Sequence, residues 1–214
     1  MKLSIVYDNT VFKKELGLKS DWGFSVLIEN NNDLILFDTG AKGEILLNNL
    51  KILNINPQDI SKIVISHEHW DHNGGLKFLM PFLKNIELFS LEHKENIASN
   101  IIDYKSQLIS KNVYSTGRLN GSPVDEQSLI LKGKNGWYVL VGCSHSGIFN
   151  ILKSAKNFGY VNGIIGGMHG FNDFPIIKDL DLICPCHCTK YVQKIKKIYP
   201  DKFISGGVGK VIEI

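Results

Sequence analysis

The sequence has little arginine, and its charges of opposite sign nearly balance. Arg118 is the one arginine, so the side chain that reads bases and phosphates through paired hydrogen bonds is almost missing. The 24 basic residues face 21 acidic ones, which leaves no electrostatic footprint for nucleic acid. A cationic run at 194–197 fits the solvated face of a helix. We therefore expect no nucleic-acid partner.

Long apolar runs and cysteines are also scarce. No apolar run approaches the ~20 residues that a membrane-spanning helix needs. The apolar N-terminal stretch meets Asp8 too early for the apolar core of a secretory signal. We therefore expect a cytoplasmic protein without a membrane partner. In a reducing compartment we expect thiols rather than disulfides at the four cysteines, Cys143, Cys184, Cys186 and Cys188.

Length and patterning predict one α/β domain over residues 1–214. A chain of 214 residues with 43% hydrophobic residues can bury one sizeable core, and no Pro- or Ser-rich linker divides it. Strand and helix patterns alternate, which is typical of layered α/β folds. Strands are predicted at 3–7, 22–29, 34–37, 62–66, 86–89, 128–132, 137–141, 161–165, 182–185, 203–204 and 211–212. Helices are predicted at 44–53, 75–83, 148–158 and 190–199, the last capped by Thr189.

Residues 91–127 carry the weakest pattern of the chain. Polar residues are mixed with glycine and proline there, and long apolar periods are few. Long loops near a reactive site are often functional, so we predict a loop facing the substrate as a lid. His93, near its start, is predicted on a surface helix.

Candidate metal-binding side chains are most concentrated in residues 66–75, with the sequence SHEHWDHNGG. Imidazole and carboxylate groups are typical ligands of Zn, Fe or Mn. Because side chains alternate along a strand, His67 and His69 point the same way and can share one ion. Asp71 and His72 follow where the chain turns, and can face a second ion. One short loop thus predicts a dinuclear site of the kind that activates water.

Two other interpretations of this loop are weaker. The helical His-Glu-x-x-His motif of zinc proteases would need a histidine where Asp71 stands. A purely structural role in a packed core would require satisfied hydrogen bonds for three histidines and an aspartate without any metal, which is costly to arrange.

Asp38 follows the predicted strand at 34–37, in the run Asp38-Thr39-Gly40. A carboxylate at a strand end near histidines can accept a ring N–H from a metal-binding histidine and fix its tautomer. A turn or a helix cap is the compatible alternative.

The motif from His67 to His72 matches the His-x-His-x-Asp-His signature of the metallo-β-lactamase fold superfamily. The resemblance extends from about residue 22 to about residue 190, through Asp38-Thr39-Gly40, Gly142-Cys143-Ser144-His145 and Cys186-His187-Cys188. The later motifs also resemble the branch related to dihydropterin ribofuranosylaminobenzene phosphate synthase. The resemblance implies a four-layer αβ/βα sandwich that binds two zinc ions, with iron or manganese as alternatives.

The resemblance also implies which residues hold the metals. The first ion would take His67, His69 and His145, and the second would take Asp71, His72 and His187. Most members have a Gly-Asp pair whose aspartate bridges both ions, but this chain has Gly142-Cys143 there. Either Cys143 is a thiolate ligand, or His145 has taken a metal position and no protein group bridges; the second is favoured.

Further residues are candidates for roles beside the metals. His169 could replace His187 as a ligand or donate a hydrogen bond to an anionic substrate oxygen. Hydroxyl groups, a positive charge and a helix N-terminus could bind phosphate through Ser144, Ser146, Thr189 and Lys190. A separate zinc knuckle at 184–188 is disfavoured because ligands so crowded cannot all reach one ion.

These features predict a metal-dependent hydrolase that uses an activated water on an ester, amide or phosphoester of a small molecule. Asp71 would orient or deprotonate the water, and His169 is the second catalytic candidate. One alternative is a transferase that joins a dihydropterin to an aminobenzene ribose phosphate. Another is a non-catalytic metal or redox protein that uses iron. The expected partner is a small molecule, phosphorylated in some of these alternatives; the oligomeric state stays open.

Overall fold

A computed structural model describes residues 1–94 and 97–214. Its strands are β1 (Lys2–Tyr7), β2 (Ser25–Asn30), β3 (Asp33–Phe37), β4 (Lys62–Val64), β5 (Glu87–Ser90), β6 (Ser99–Ile101), β7 (Gln107–Ser110), β8 (Val113–Ser115), β9 (Leu129–Lys132), β10 (Trp137–Val141), β11 (Val161–Gly167), β12 (Leu182–Cys186) and β13 (Val211–Glu213). Its helices are α1 (Gly43–Ile52), α2 (Trp70–Asn73), α3 (Leu76–Leu79), α4 (Ile148–Lys156) and α5 (Val192–Ile198). Short 3-10 turns lie at Lys14–Leu16, Pro57–Asp59, Met80–Phe82 and Phe174–Ile177.

The chain divides into two compact units. The first unit holds residues 1–102 and 206–213, and the second holds residues 103–205 with Ile214. Each unit contains one mixed sheet with its helices. The predicted α/β class is confirmed by these sheets, whereas the prediction of a single domain over 1–214 stays a prediction.

The sheet of the first unit has seven strands in the order β13-β1-β2-β3-β4-β5-β6. The β2–β3 hairpin is antiparallel, and β3, β4, β5 and β6 run parallel. Helix α1 buries Leu46 and Leu50, which are four positions apart and so lie on one helical face. These leucines pack with residues of the strands, including Leu36, Ile63 and Leu88. The parallel strands therefore end together, over a core that holds them in place.

The sheet of the second unit has six strands in the order β12-β11-β10-β9-β8-β7. Strands β10, β11 and β12 run parallel, and the remaining pairs are antiparallel. Helix α4 buries an apolar stripe at helical spacing, formed by Ile148, Ile151, Leu152 and Ala155. This stripe packs in the same cluster as Val139, Val141 and Ile164 of the sheet. The carboxyl ends of β10, β11 and β12 therefore lie side by side at one edge of this sheet.

Residues 91–127 are more regular than predicted. They contain β6, β7 and β8 and a bridge between Leu119 and Glu126, so the prediction of one long loop was wrong for these parts. The strands have three or four residues each, too few for an alternation to show in the sequence. Residues 95 and 96 of the predicted lid lie outside the described residues. The lid role itself stays a prediction.

Three local predictions also differ from the structure. The helix predicted at 75–83 ends at Leu79, and a 3-10 turn containing Pro81 follows, because proline lacks the N–H that a longer helix would need. His93 is exposed but lies outside any helix. Tyr191, rather than Thr189, precedes α5, and no side chain caps that helix. Among the described residues, no helix is long and apolar enough to cross a membrane.

Candidate metal centre

In the first unit, the loops that follow β3 and β4 lie side by side. Phe37 pairs with Val64 in the parallel ladder, and the N–H of Asp38 donates to the carbonyl of Val64 at 2.8 Å. Asp38 thus follows one strand directly, while Ser66 and His67 follow its neighbour. Parallel strands present their carboxyl ends at one edge of a sheet, so two polar loops 28 residues apart in sequence meet there.

The carboxylate of Asp38 organises this edge. It is fully buried, and its Oδ1 accepts the backbone N–H of Ser66 at 2.7 Å. Its Oδ2 accepts the Ser66 hydroxyl at 2.7 Å and lies 2.7 Å from Nδ1 of His72. An ionised carboxylate only accepts hydrogen bonds, so Nδ1 of His72 carries the proton. Nε2 of His72 is then left with a lone pair, the form in which a histidine binds metal.

Ser66 links the Asp38 carboxylate to His67. Its Oγ lies 2.8 Å from Nδ1 of His67 while its own proton goes to Asp38. Oγ can therefore accept the proton on Nδ1, which leaves a lone pair on Nε2 of His67. One buried carboxylate sets the tautomer of His72 directly and that of His67 through a hydroxyl.

His67 and His69 are placed to share one ion. Nε2 of His67 lies 3.1 Å from Nδ1 of His69. Two nitrogens bound to one tetrahedral zinc at 2.0–2.1 Å would lie roughly 3.3 Å apart. Since Nε2 of His67 carries a lone pair, either a proton or a cation lies between the two rings. The separation fits a shared metal ion.

Asp71 and His72 lie on α2 rather than on an irregular loop. Both are buried, and Oδ2 of Asp71 lies 4.0 Å from Nε2 of His72. The same Oδ2 accepts the indole N–H of Trp22 at 2.8 Å. The carbonyl of His72 accepts the N–H and the hydroxyl of Thr39, at 2.7 and 3.0 Å. The short helix is thereby tied to the loop that carries Asp38.

Gly40, the third residue of the Asp-Thr-Gly run, allows a close approach to Tyr7. Its φ is +66°, and a Cβ there would lie 2.5 Å from the Tyr7 ring. Tyr7 is fully buried and its hydroxyl accepts the N–H of Lys42 at 3.3 Å. Burial raises the pKa of Tyr7 to about 12, so its hydroxyl stays neutral. The Asp38 loop therefore rests against a rigid aromatic ring.

The second unit also collects polar residues at the carboxyl edge of parallel strands. Val141 pairs with Gly166, and Gly167 pairs with Cys186. Cys143 follows β10, His169 follows β11, and His187 follows β12. Imidazole or sulfur atoms of Cys143, His187 and Cys188 all lie within 4.8 Å of one another. The structure thus brings together two predicted ligands and Cys188, which the sequence analysis considered only as part of a disfavoured zinc knuckle.

The thiols differ in their surroundings. A hydrogen bond with the Cys143 side chain lowers the pKa of the Cys188 thiol, and the nearby His187 lowers it further against the opposing effect of burial. Cys184 and Cys186 lie earlier in the chain, on β12, and their sulfurs are 3.8 Å apart. None of these cysteines is in a disulfide.

His145 and His169 face each other in the second unit. Their ring centroids are 5.2 Å apart, with His169 exposed and His145 half-buried. Both are placed among the loops that follow the parallel strands, as the sequence analysis expected. Their roles, as ligand and as catalytic group, stay predictions.

Glu126 is a functional candidate that the sequence analysis missed. It is fully buried, and its Oε1 accepts both the N–H and the hydroxyl of Ser146, at 2.8 and 2.6 Å. Burial raises the pKa of Glu126, although hydrogen bonds from Ser146 and the N–H groups of His145 and Ser144 oppose that shift. This carboxylate holds the loop that carries His145. No motif marks it, since its partner is 20 residues away.

The predicted phosphate-binding residues differ in how exposed they are to solvent. Ser144, Ser146 and Thr189 are buried, whereas Lys190 is exposed. The Thr189 hydroxyl donates to the carbonyl of Cys186 at 2.7 Å and accepts the N–H of Met168 at 3.0 Å. Thr189 therefore ties two strand ends together instead of capping α5. Substrate binding by these four residues stays a prediction.

Trp22 and Ser66 were also missed as partners of the site. Trp22 was assigned to a strand, and Ser66 to the strand end before the metal loop. Only the contact with Asp71 and the link from Asp38 to His67 give them a role. A tryptophan or serine near a strand end is too common for the sequence to signal either contact.

A sequence model of the metallo-beta-lactamase superfamily matches residues 23–152. The chain belongs to the metallo-beta-lactamase superfamily. The match includes the loop from His67 to His72, as well as Cys143 and His145. The loops of His169 and His187 lie beyond it.

Individual relatives are similar to this chain over most of its length. An uncharacterized protein of Methanocaldococcus jannaschii is 29% identical over 99% of this chain and 100% of its own. The 7,8-dihydropterin-6-methyl-4-(beta-D-ribofuranosyl)-aminobenzene-5'-phosphate synthase of the same organism is 27% identical over 86% of this chain and 85% of its own. A crystal structure described as a metal-dependent hydrolase of the beta-lactamase superfamily is similar with a TM-score of 0.79 and 24% identity, covering 100% of this chain and 99% of its own. The predicted resemblance to this superfamily, and to its pterin synthase branch, is confirmed.

Proposed function

We propose that the protein is a metal-dependent hydrolase acting on an ester, amide or phosphoester of a small molecule. The observation that carries the proposal is the position of Asp38. Its carboxylate leaves a lone pair on Nε2 of both His67 and His72, as metal binding requires. A purely structural histidine cluster has no need for this arrangement of protons.

The proposed ligands follow the superfamily resemblance together with the geometry of each unit. His67, His69 and His145 would bind a first ion, and Asp71, His72 and His187 a second, with Cys143 as an additional candidate. We propose zinc in both positions, with iron or manganese as alternatives. Bound there, such ions would supply Lewis-acid chemistry, lowering the pKa of a water towards ~7 and polarising a substrate oxygen.

Asp71 is the proposed base. The indole N–H of Trp22 holds its Oδ2 at 2.8 Å, which fixes the orientation of the carboxylate. A carboxylate so held can orient an attacking water or take its proton. His169 is proposed to donate a hydrogen bond to the negatively charged substrate oxygen. It is exposed, as a residue that meets the substrate must be.

Charged substrate groups are proposed to bind near the second-unit loops. Lys190 supplies an exposed positive charge, and the backbone N–H of that residue donates to the carbonyl of His169 at 2.8 Å. Ser144, Ser146 and Thr189 complete the proposed phosphate-binding group. A small molecule in the cytoplasm remains the expected substrate.

The test combines metal content with activity. The protein is purified without added metal, its metals are measured by elemental analysis, and hydrolysis is assayed with a broad panel of esters, amides and phosphodiesters. We expect bound zinc and turnover of at least one class. His67→Ala should lose both, whereas His93→Ala, which changes an exposed histidine elsewhere in the first unit, should lose neither. Equal behaviour of His67→Ala and wild type, with no hydrolysis by either, would refute the proposal.

A second candidate is a transferase of the pterin type, supported by the relative named as a synthase, which matches 86% of this chain. It predicts tight binding of a reduced pterin, measured anaerobically by the quenching of tryptophan fluorescence. Indifference to reduced pterins would remove this candidate. A non-catalytic iron protein is the remaining alternative, and it predicts iron in the elemental analysis with no turnover.

A further inference from the structure

The second unit carries a cluster of soft metal-binding groups. Cys143 follows β10, and His187 and Cys188 follow β12, two strands away in the same sheet. Donor atoms of these three side chains lie within 4.8 Å of one another. Around one tetrahedral zinc, two sulfurs at about 2.3 Å would lie roughly 3.8 Å apart, and a sulfur and a nitrogen roughly 3.6 Å apart. Because none of the donor separations exceeds 4.8 Å, the three side chains need to move by at most about an ångström to share an ion.

The strand between them leaves room for a sulfur. Gly167 ends β11 and lies between the loops of Cys143 and Cys188. A Cβ at this position would lie 2.8 Å from Sγ of Cys188 and 2.2 Å from the carbonyl oxygen of Gly142. No residue with a side chain fits there unless the backbone or the thiol shifts. The backbone of β11 is therefore compatible with Cys188 directed inward, and a larger residue would push its sulfur away.

Burial favours these thiols as ligands over thiols that react with solvent. Cys143 is 3% exposed, and Cys188 and His187 are half-buried. A metal coordinates the thiolate form, and binding releases the thiol protons to solvent. The protein therefore covers Cys143, while the exposed parts of His187 and Cys188 let an ion reach the cluster.

We infer that the ion bound by His187 is also bound by the sulfurs of Cys143 and Cys188, which makes this a thiolate site selective for soft or borderline cations. The inference rests on the proposed function, in which His187 holds the second ion. Thiolates favour zinc and iron(II) over manganese and magnesium, which prefer oxygen ligands. Cys188 becomes a ligand that neither the spacing of the family signature nor the matched segment indicates.

Cobalt(II) replacement tests the inference, because thiolate bound to cobalt gives an intense charge-transfer absorption in the near ultraviolet. Metal-free protein is loaded with cobalt under anaerobic conditions, and absorption is recorded against bound cobalt. We expect the band in the wild type, about half of it in Cys143→Ser and in Cys188→Ser, and none in the double variant. Cys184→Ser is the matched control, since this thiol lies earlier on β12, and should keep the full band.

Wild-type measurements keep the inference testable if a serine variant does not fold. Cadmium NMR of the wild-type protein should show a resonance shifted by two sulfur ligands, and zinc should displace manganese completely in competition. Cobalt that binds in full without the charge-transfer band would overturn the thiolate site and leave the hydrolase proposal standing. A full band in a protein that hydrolyses nothing in the panel would overturn the hydrolase proposal and leave the thiolate site standing. A protein that binds no cobalt would overturn both the thiolate site and the hydrolase proposal.

Discussion

Oδ2 of Asp38 lies 2.7 Å from Nδ1 of His72, and both side chains are fully buried. The contact joins two loops that are separated by 34 positions in the sequence. Because the same carboxylate also binds Ser66, it controls the protonation of His67 as well. The metal-binding form of this loop therefore depends on a residue that is not itself proposed as a ligand.

Replacement of Asp38 by asparagine tests this dependence. An amide replaces one of the two acceptor oxygens by an NH2 donor, so it must direct N–H groups either at the backbone N–H of Ser66 or at the Ser66 hydroxyl and Nδ1 of His72. We expect zinc affinity to fall roughly 10- to 100-fold, the usual effect of losing such a partner. Competition with a chromophoric chelator measures the affinity. Asp33→Asn, at the other end of β3 and paired with Lys62 at 3.3 Å, should leave zinc affinity unchanged.

Trp22→Phe tests the proposed anchoring of Asp71. The substitution keeps an aromatic ring but removes the N–H that donates to Oδ2 at 2.8 Å. A hydrogen bond to a charged group contributes about 1.5–3 kcal/mol. We expect kcat, measured at saturating zinc, to fall on the order of 10-fold or more. Trp70→Phe is the matched control, because its ring is 62% exposed on α2; equal kinetics for the two variants would contradict the anchoring role.

Gly40→Ala should destabilise the first unit by more than Gly17→Ala. Both glycines have φ near +70°, at +66° and +72°, so each alanine adds backbone strain of about 1 kcal/mol. Only at Gly40 would the new Cβ also meet the Tyr7 ring, at 2.5 Å, whereas nothing lies within 4 Å at Gly17. Overpacking of this kind costs about 1–3 kcal/mol more. Urea unfolding measures the difference, and equal losses would show that the loop yields without cost.

Glu126→Gln should change how stability depends on pH. Burial raises the pKa of Glu126 above the ordinary value of 4.5, so the folded protein keeps this proton to a higher pH than the unfolded chain does. The stability that Glu126 contributes is therefore complete below 4.5 and is lost as pH rises through the folded pKa. Glutamine stays neutral at every pH. As pH rises from 4.5 through the folded pKa of Glu126, the free energy of unfolding of the variant should therefore increase relative to that of the wild type.

The measurement is urea unfolding of metal-free protein at a series of pH values. Glu213→Gln, which alters an exposed carboxylate, should follow the wild-type pH dependence. Parallel curves for Glu126→Gln and wild type would show that the Glu126 carboxyl ionises equally well in the folded and unfolded chain.

Local patterns predicted most of the long elements. Strands β1, β3 and β10 and helices α1 and α4 lie close to their predicted bounds, because an alternation or a helical period can be read over five or more residues. The short strands β6 to β8 were missed because each has only three or four residues and polar residues interrupt its apolar ones. Helix α2 was missed for a similar reason: four residues rich in ligands have no apolar stripe.

The sequence by itself determined the superfamily and the types of candidate ligands, because His67 to His72 lie within one short loop after one strand. Only the tertiary structure decided which distant groups support that loop and the loops of the second unit. Asp38 meets His72, Trp22 meets Asp71, Glu126 holds Ser146, and Cys188 approaches Cys143. The physical reason is strand pairing, parallel between β3 and β4 and antiparallel between β2 and β3 and between β9 and β10. It brings loops together that are 20 to 49 residues apart, and no local period in the chain records which strands will be neighbours.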